Sequence, residues 1–151
     1  MGYIENLRKK VGHDRLILPG SAVIIEDTKG RILLQQRDYP VGAWCLPGGL
    51  MELEESAEET AVREVWEETG LKVTDLKLLG VYSGKEYLCR AANGDEWYVV
   101  TMTYYTDSYE GEPAVHDHES VALQWFDLEE LPERLVKTHQ IMVRDYIKGR
   151  I

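Results

Sequence analysis

Residues 47–71, PGGLMELEESAEETAVREVWEETGL, decide how the chain is read. Two glycines, Gly48 and Gly49, open the stretch, an acid-rich segment fills it, and Gly70 closes it. Ser56 followed three residues later by Glu59 is the pattern of a capping box, in which a hydroxyl and a carboxylate satisfy free amides at a helix start. It predicts a helix beginning near Ala57, and Gly70 supplies the left-handed residue that ends one. Glu64, Glu67 and Glu68 stand at i, i+3 and i+4, within about a 100° arc of one helix face. Like charges four apart cost on the order of 0.3 kcal/mol, and helices usually set Lys against them. This stretch has no lysine, and Arg63 is its only base. Beside the acidic arc runs an apolar stripe, Ala61, Val62, Val65 and Trp66, expected to hold the helix on a core. Three carboxylates kept together point to a hard divalent cation, which takes oxygen ligands.

Spacing and residue types together resemble the Nudix hydrolase family. Its pattern is Gly, five residues, Glu, seven residues, Arg-Glu, an aliphatic, any residue, Glu-Glu, any residue, Gly and an aliphatic. Here those places hold Gly49, Glu55, Arg63-Glu64, Val65, Glu67-Glu68, Gly70 and Leu71. The resemblance implies an α/β/α sandwich with a mixed β-sheet, in which the box forms a loop-helix-loop. Periodicity alone stops at a mixed α/β domain, a sheet flanked by two helices.

Composition is that expected of a soluble globular protein. The 151 residues fit one domain, 1–151, with 44% hydrophobic and 29% charged residues. A net charge of −10 argues against a nucleic-acid or anionic-membrane partner, either of which wants a basic stripe. It also repels a phosphate substrate, unless a bound divalent metal offsets it locally. Cys45 and Cys89 have no metal spacing and read as reduced, buried thiols of a cytoplasmic protein. The opening MGYIEN has neither the apolar core of a signal peptide nor the Ser or Thr a myristoylation site wants at position 6. No apolar run approaches a membrane span.

Taken in order, Ile4 to Val11 is a short surface helix, and Leu16 to Ile25 is a β-branched strand. The turn Asp27-Thr28-Lys29-Gly30 makes Arg31 to Arg37 its hairpin partner, and Trp44-Cys45-Leu46 is a brief strand. Leu76 to Tyr82 and Glu86 to Cys89 read as strands. Asn93-Gly94 favours a type I′ turn, after which Trp97 to Tyr105 pairs back. Val121 to Phe126 is a further strand. Thr138 to Ile147 is a last helix, packing through Ile141, Met142 or Val143, and Tyr146.

The resemblance implies attack of water on a phosphorus of a nucleoside diphosphate linked to another group, with Mg²⁺, or Mn²⁺ in its place, as cofactor. It assigns Glu64 and Glu68 as primary metal ligands, with Glu67 and the backbone carbonyl of Gly48 joining them. Glu119, in the loop Glu112–Glu119, matches an extra carboxylate of the family; Glu64, Glu67, Glu68 and Glu119 are thus the catalytic set. The general base is either Glu64 or an acid from a distant loop. His116 and His118, two residues apart, carry less weight as ligands. Gly49, Glu55, Arg63 and Gly70 support the box, Glu55 and Arg63 as an ion pair; a local Glu59–Arg63 pair is the alternative.

For the substrate, Arg37 is placed to grip a phosphate. Trp44 and Tyr87 lead the aromatics that could stack a base, among Tyr82, Trp97 and Tyr98. By the resemblance, many ADP-ribose hydrolases carry a proline some fifteen residues past the box, so its absence between Val73 and Glu112 argues against ADP-ribose. Tyr87, where the family's dinucleoside polyphosphate hydrolases carry a tyrosine, is a weak cue for those substrates. Nucleoside triphosphates and nucleotide sugars stay open, as does a homodimer. Two other activities are compatible with the fold: a noncatalytic nucleotide sensor, and a prenyl diphosphate isomerase using Cys45 with a glutamate.

Overall fold

The computed structural model describes residues 2–115 and 120–149. Its elements in chain order are α1 (Tyr3–Val11), β1 (Leu16–Ile25), β2 (Arg31–Arg37), β3 (Trp44–Cys45), β4 (Gly48–Leu50), α2 (Ala57–Thr69), β5 (Lys72–Thr74), β6 (Lys77–Tyr82), β7 (Leu88–Arg90), β8 (Glu96–Thr106), β9 (Ser108–Glu110), β10 (Ser120–Asp127) and α3 (Lys137–Gly149). The larger sheet is built on β1, which runs parallel to β8 from Leu16↔Trp97 to Ile25↔Thr106 and antiparallel to β4. The far edge of β8 carries β7 and then β6. A second sheet has the order β10-β2-β3, and β5 pairs with β9.

Alternation along β1 and β2 makes the sandwich. Ala22, Ile24, Ile32 and Leu34 pack with Met142, Val143 and Tyr146 of α3. Val23, Ile25 and Leu33 pack with Ala61 and Val65 of α2. Side chains of a strand point alternately to its two faces, so one helix covers each side and the expected α/β/α arrangement with a mixed sheet is what forms. Burial on both faces explains the consecutive apolar residues Ala22–Ile25 of β1 and Ile32–Leu34 of β2.

Four local expectations are corrected. The β1–β2 turn is tight, with Asp27 Oδ1 accepting from the backbone of Lys29 and Arg31 and Oδ2 from Arg31 Nε. Beyond one bridge, Glu26↔Ile32, the strands then part into different sheets, because both edges of β1 are taken by β4 and β8. At Asn93-Gly94 only the glycine has positive φ, 96°. Gly94 N–H donates to Ala91 O and Ala91 N–H to Asp95 O, which is a type I turn closed by a bulge. Asn93 Oδ1 takes the Asp95 N–H instead of entering the left-handed region. Residues Lys85–Tyr87 form one 3₁₀ turn rather than the start of a strand.

The fourth correction concerns the helix face. Trp66 is 56% exposed, whereas Thr60, Ala61, Val65, Glu68 and Thr69 are buried. Residues two positions apart on a helix are separated by about 200°, so turning Glu68 inward sends Trp66 outward. Helix α1 lies on the surface with no buried residue, tied down by Arg8, which donates to the carbonyls of Gly12, Asp14 and Glu96. No helix among the described residues is long and apolar enough to cross a membrane.

Candidate active site

Helix α2 starts at a complete capping box: Glu59 N–H donates to Ser56 Oγ (3.1 Å), and Ser56 N–H to Glu59 Oε1 (3.0 Å). Gly70 ends it with φ 77°. Glu59 is thereby engaged at the helix start, and Arg63 turns to Glu55 through two bonds, Nε–Oε2 at 2.6 Å and Nη2–Oε1 at 3.0 Å. Such paired bonds from a planar guanidinium fix geometry as well as charge. They hold Glu55 well below the usual carboxylate range, at about 2, although its partial burial pushes the other way. Glu55 Oε1 also accepts from Glu52 N–H and Thr60 Oγ1, and Arg63 Nη2 reaches Leu50 O. The loop Leu50–Glu55 is thus locked to α2. Arg63 Nη1 then bonds Glu64 (2.7 Å) and Glu67 (3.2 Å).

Glu68 is 3% exposed and held from three directions. Oε1 accepts from Gly48 N–H (2.8 Å), and Oε2 accepts from Gln35 Nε2 (2.9 Å) and Arg37 Nη2 (3.0 Å). Burial nevertheless pushes its pKa up to about 8, against the lowering by Arg37 and Gln35 and with help from the charge of Glu64. Burial also raises Glu64. The two carboxylates border the same glycine pair. A Cβ on Gly49 would collide with the Glu64 carboxylate, and one on Gly48 with the β1 backbone at Ser21 and Ala22. Glycine at both places is what lets loop, strand and carboxylates meet.

Not every expected residue joins them. Glu67 is 52% exposed on the rim, so the three-carboxylate cluster is a converging pair with a flanking third acid; no three His, Cys, Asp or Glu side chains among the described residues are set to hold a metal ion. Glu119, His116 and His118 lie outside the described residues. Arg37 is inside the site, its Nη2 on Glu68 and 3.4 Å from Gly48 O. The Trp44 ring is half-buried and meets Phe126 edge-on at 5.0 Å. Tyr87 is 6% exposed and sits in the α3-side core beside Tyr82; its ring is a packing element, which corrects the stacking role expected for it. Cys89 is half-buried, and Cys45 is buried against Arg37 Nε (3.2 Å) with its thiol pKa raised by desolvation. Cys45 is a packed group rather than an acid presented to a substrate.

Two residues at the site escape a reading from sequence. Gln35 sits fully buried in β2; next to Gln36 and Arg37, it reads from sequence as part of a polar strand end. His139, at the start of α3, accepts the Leu46 N–H through Nδ1 (2.9 Å). It continues a ladder in which Trp44 N–H donates to Arg134 O and Val136 N–H to Trp44 O. Enclosure, with the nearby Arg37 charge, lowers its pKa to about 4, which keeps Nδ1 free to accept near neutral pH.

A buried carboxylate, Glu68, and a half-buried one, Glu64, both of raised pKa and facing the Gly48–Gly49 loop, form a donor set that fits a hard divalent cation. With the fold, the site defines a hydrolase of phosphoanhydride bonds. The sequence model of the NUDIX domain matches residues 17–146. An ADP-ribose pyrophosphatase of Methanocaldococcus jannaschii is 36% identical over 128 residues, 84% of this chain and 71% of that protein. A MutT-like protein of Streptomyces ambofaciens is 34% identical, over 84% of this chain and 73% of its own length. The crystal structure of a MutT NUDIX hydrolase from Burkholderia pseudomallei superposes with a TM-score of 0.72 at 32% identity, covering 85% of this chain and 97% of that one. The chain belongs to the Nudix hydrolase family, whose members generally need a divalent metal ion.

Proposed function

We propose that the chain hydrolyses the pyrophosphate link of a nucleoside diphosphate joined to a second group, using Mg²⁺ or Mn²⁺. The observation that carries this reading is the convergence of Glu64 and Glu68, both raised in pKa by burial, on the Gly48–Gly49 loop. Glu68, Glu64 and the Gly48 carbonyl would hold the ion, with Glu67 joining from the rim. The bound ion would neutralise phosphate oxygens and polarise the attacking water. Arg63 and Glu55 keep Glu64 and the loop in place, and Arg37 supplies positive charge beside the phosphates. The water's proton passes to a carboxylate of the same group, either Glu64 or the loop acid Glu119.

Two cues to the second group oppose each other. The missing proline argues against ADP-ribose, whereas a relative named for ADP-ribose hydrolysis favours it. Burial of Tyr87 removes the cue toward dinucleoside polyphosphates. ADP-ribose is therefore the first compound to test, in a panel with nucleoside triphosphates, dinucleoside polyphosphates and nucleotide sugars, each with Mg²⁺ or Mn²⁺ and scored by released nucleotide. Metal-dependent cleavage of one class is expected. Failure on the whole panel, with tight binding of one member, would favour a nucleotide sensor.

A further inference from the structure

Along β2, Leu33, Gln35 and Arg37 point to the same face by alternation. Leu33 enters the core under α2, and the next position on that face is an amide where packing alone wants an aliphatic. Gln35 is 0% exposed, so its Nε2 hydrogens cannot be satisfied by bulk water and must be matched within the protein. One goes to Glu68 Oε2 at 2.9 Å, across the gap between the second sheet and α2. Both Gln35 and Arg37 also donate toward the Cys45 thiol.

We infer that Gln35 is a positioning residue for the metal site, fixing the Glu68 carboxylate so that Oε1 is the oxygen offered to a cation. A carboxylate oxygen accepts about two hydrogen bonds. Oε2 already has two donors, Gln35 Nε2 and Arg37 Nη2, while Oε1 has the Gly48 N–H. Rotation of the carboxylate about its last bond breaks all three contacts together. The division of labour between the donors follows from charge. Arg37 cancels part of the negative charge that attracts a cation, and it bonds Cys45 and Gly48 O as well as Glu68. Gln35 is neutral, so it orients Glu68 without weakening the field. This inference rests on the metal-binding reading of Glu68 and adds the residue that aims it.

The test is Mn²⁺ binding without nucleotide, followed by electron paramagnetic resonance of the free ion, on the wild type, Gln35→Met, Glu68→Gln and the double variant. Partners that orient a metal ligand typically change affinity by about 10- to 100-fold, so Gln35→Met should weaken binding by about tenfold or more. In the Glu68→Gln background the same change should add nothing, because the group it aims is gone. Wild-type affinity in Gln35→Met with a loss in Glu68→Gln overturns the inference and leaves the metal site standing. Losses that simply add in the double variant overturn it as well, assigning Gln35 a packing role. Wild-type affinity in Glu68→Gln defeats the underlying metal reading instead. Should Gln35→Met not fold, the Gln35 side-chain amide signals of ¹⁵N-labelled wild type and Glu68→Gln decide. Movement between the two is expected, and unchanged signals overturn the inference.

Discussion

Replacing Glu55 by Gln should cost stability at neutral pH and almost nothing in strong acid. The Glu55 carboxylate takes paired bonds from Arg63 at 2.6 and 3.0 Å, and its pKa is held at about 2 against an ordinary 4.5. At about 1.4 kcal/mol per pH unit, that gap corresponds to about 3.4 kcal/mol. Arg63 and Glu55 are 28% and 17% exposed, and solvent screening at such a rim reduces the figure to about 1–2 kcal/mol. The folded pKa lies below the unfolded one, so this stabilisation is complete above about pH 5 and fades as the pH falls toward about 2. Linkage leaves about three quarters of it at pH 4 and about two fifths at pH 3. Urea unfolding of both proteins at pH 7, 4 and 3 measures the difference directly, and thermal melts at pH 7 should differ by about 3–6 °C. A gap as large at pH 3 as at pH 7, or none at pH 7, would refute the reasoning.

Glu68→Gln should lower turnover on the order of a hundredfold or more, since charge neutralisation by the bound ion is worth several kcal/mol; its melting temperature should hold, and activity near wild type would contradict the assignment. Gly49→Ala should force the Glu64 carboxylate aside and cost about 1–3 kcal/mol. Its metal affinity should fall below that of an exposed Gly→Ala control such as Gly149→Ala, and equal affinity would count against the close approach. Tyr87→Ala should destabilise by about 3 kcal/mol, seen as a lower urea midpoint, while KM for whichever nucleotide is cleaved stays unchanged; a KM effect alone would restore its stacking role. Glu119→Gln should slow turnover if that loop supplies a ligand or base, and unchanged kinetics would remove it from the site.

What the sequence disclosed was mostly local. The capping box at Ser56 and Glu59 and the left-handed Gly70 are set by residues within one or two turns, so both ends of α2 can be read from the residues beside them. Strand β1 was legible from its β-branched residues, and β2 from the turn signal Asp27–Gly30 that precedes it. Pairing between β1 and β8 was not, since nothing in a strand's own residues names a partner some eighty positions away. The divergence of β1 from β2 was hidden for the same reason: competition for an edge involves strands from elsewhere in the chain. Within the site, the motif named Glu64 and Glu68 but was silent on Gln35 and His139. Their contributions are single hydrogen bonds across the fold, and neither residue has a motif spacing to betray it.

Glu68 adds polar bonds to the two sheets that its own helix packs against. One oxygen is bonded to β4 in the larger sheet, the other to β2 in the smaller. A ligand that grips this side chain therefore also rivets the two sheets together. Occupancy should register as a change in how the whole protein melts, not only at the pocket. Heat tolerance thus becomes a readout of what the chain is holding, open to any screen that can follow unfolding without a chromogenic substrate.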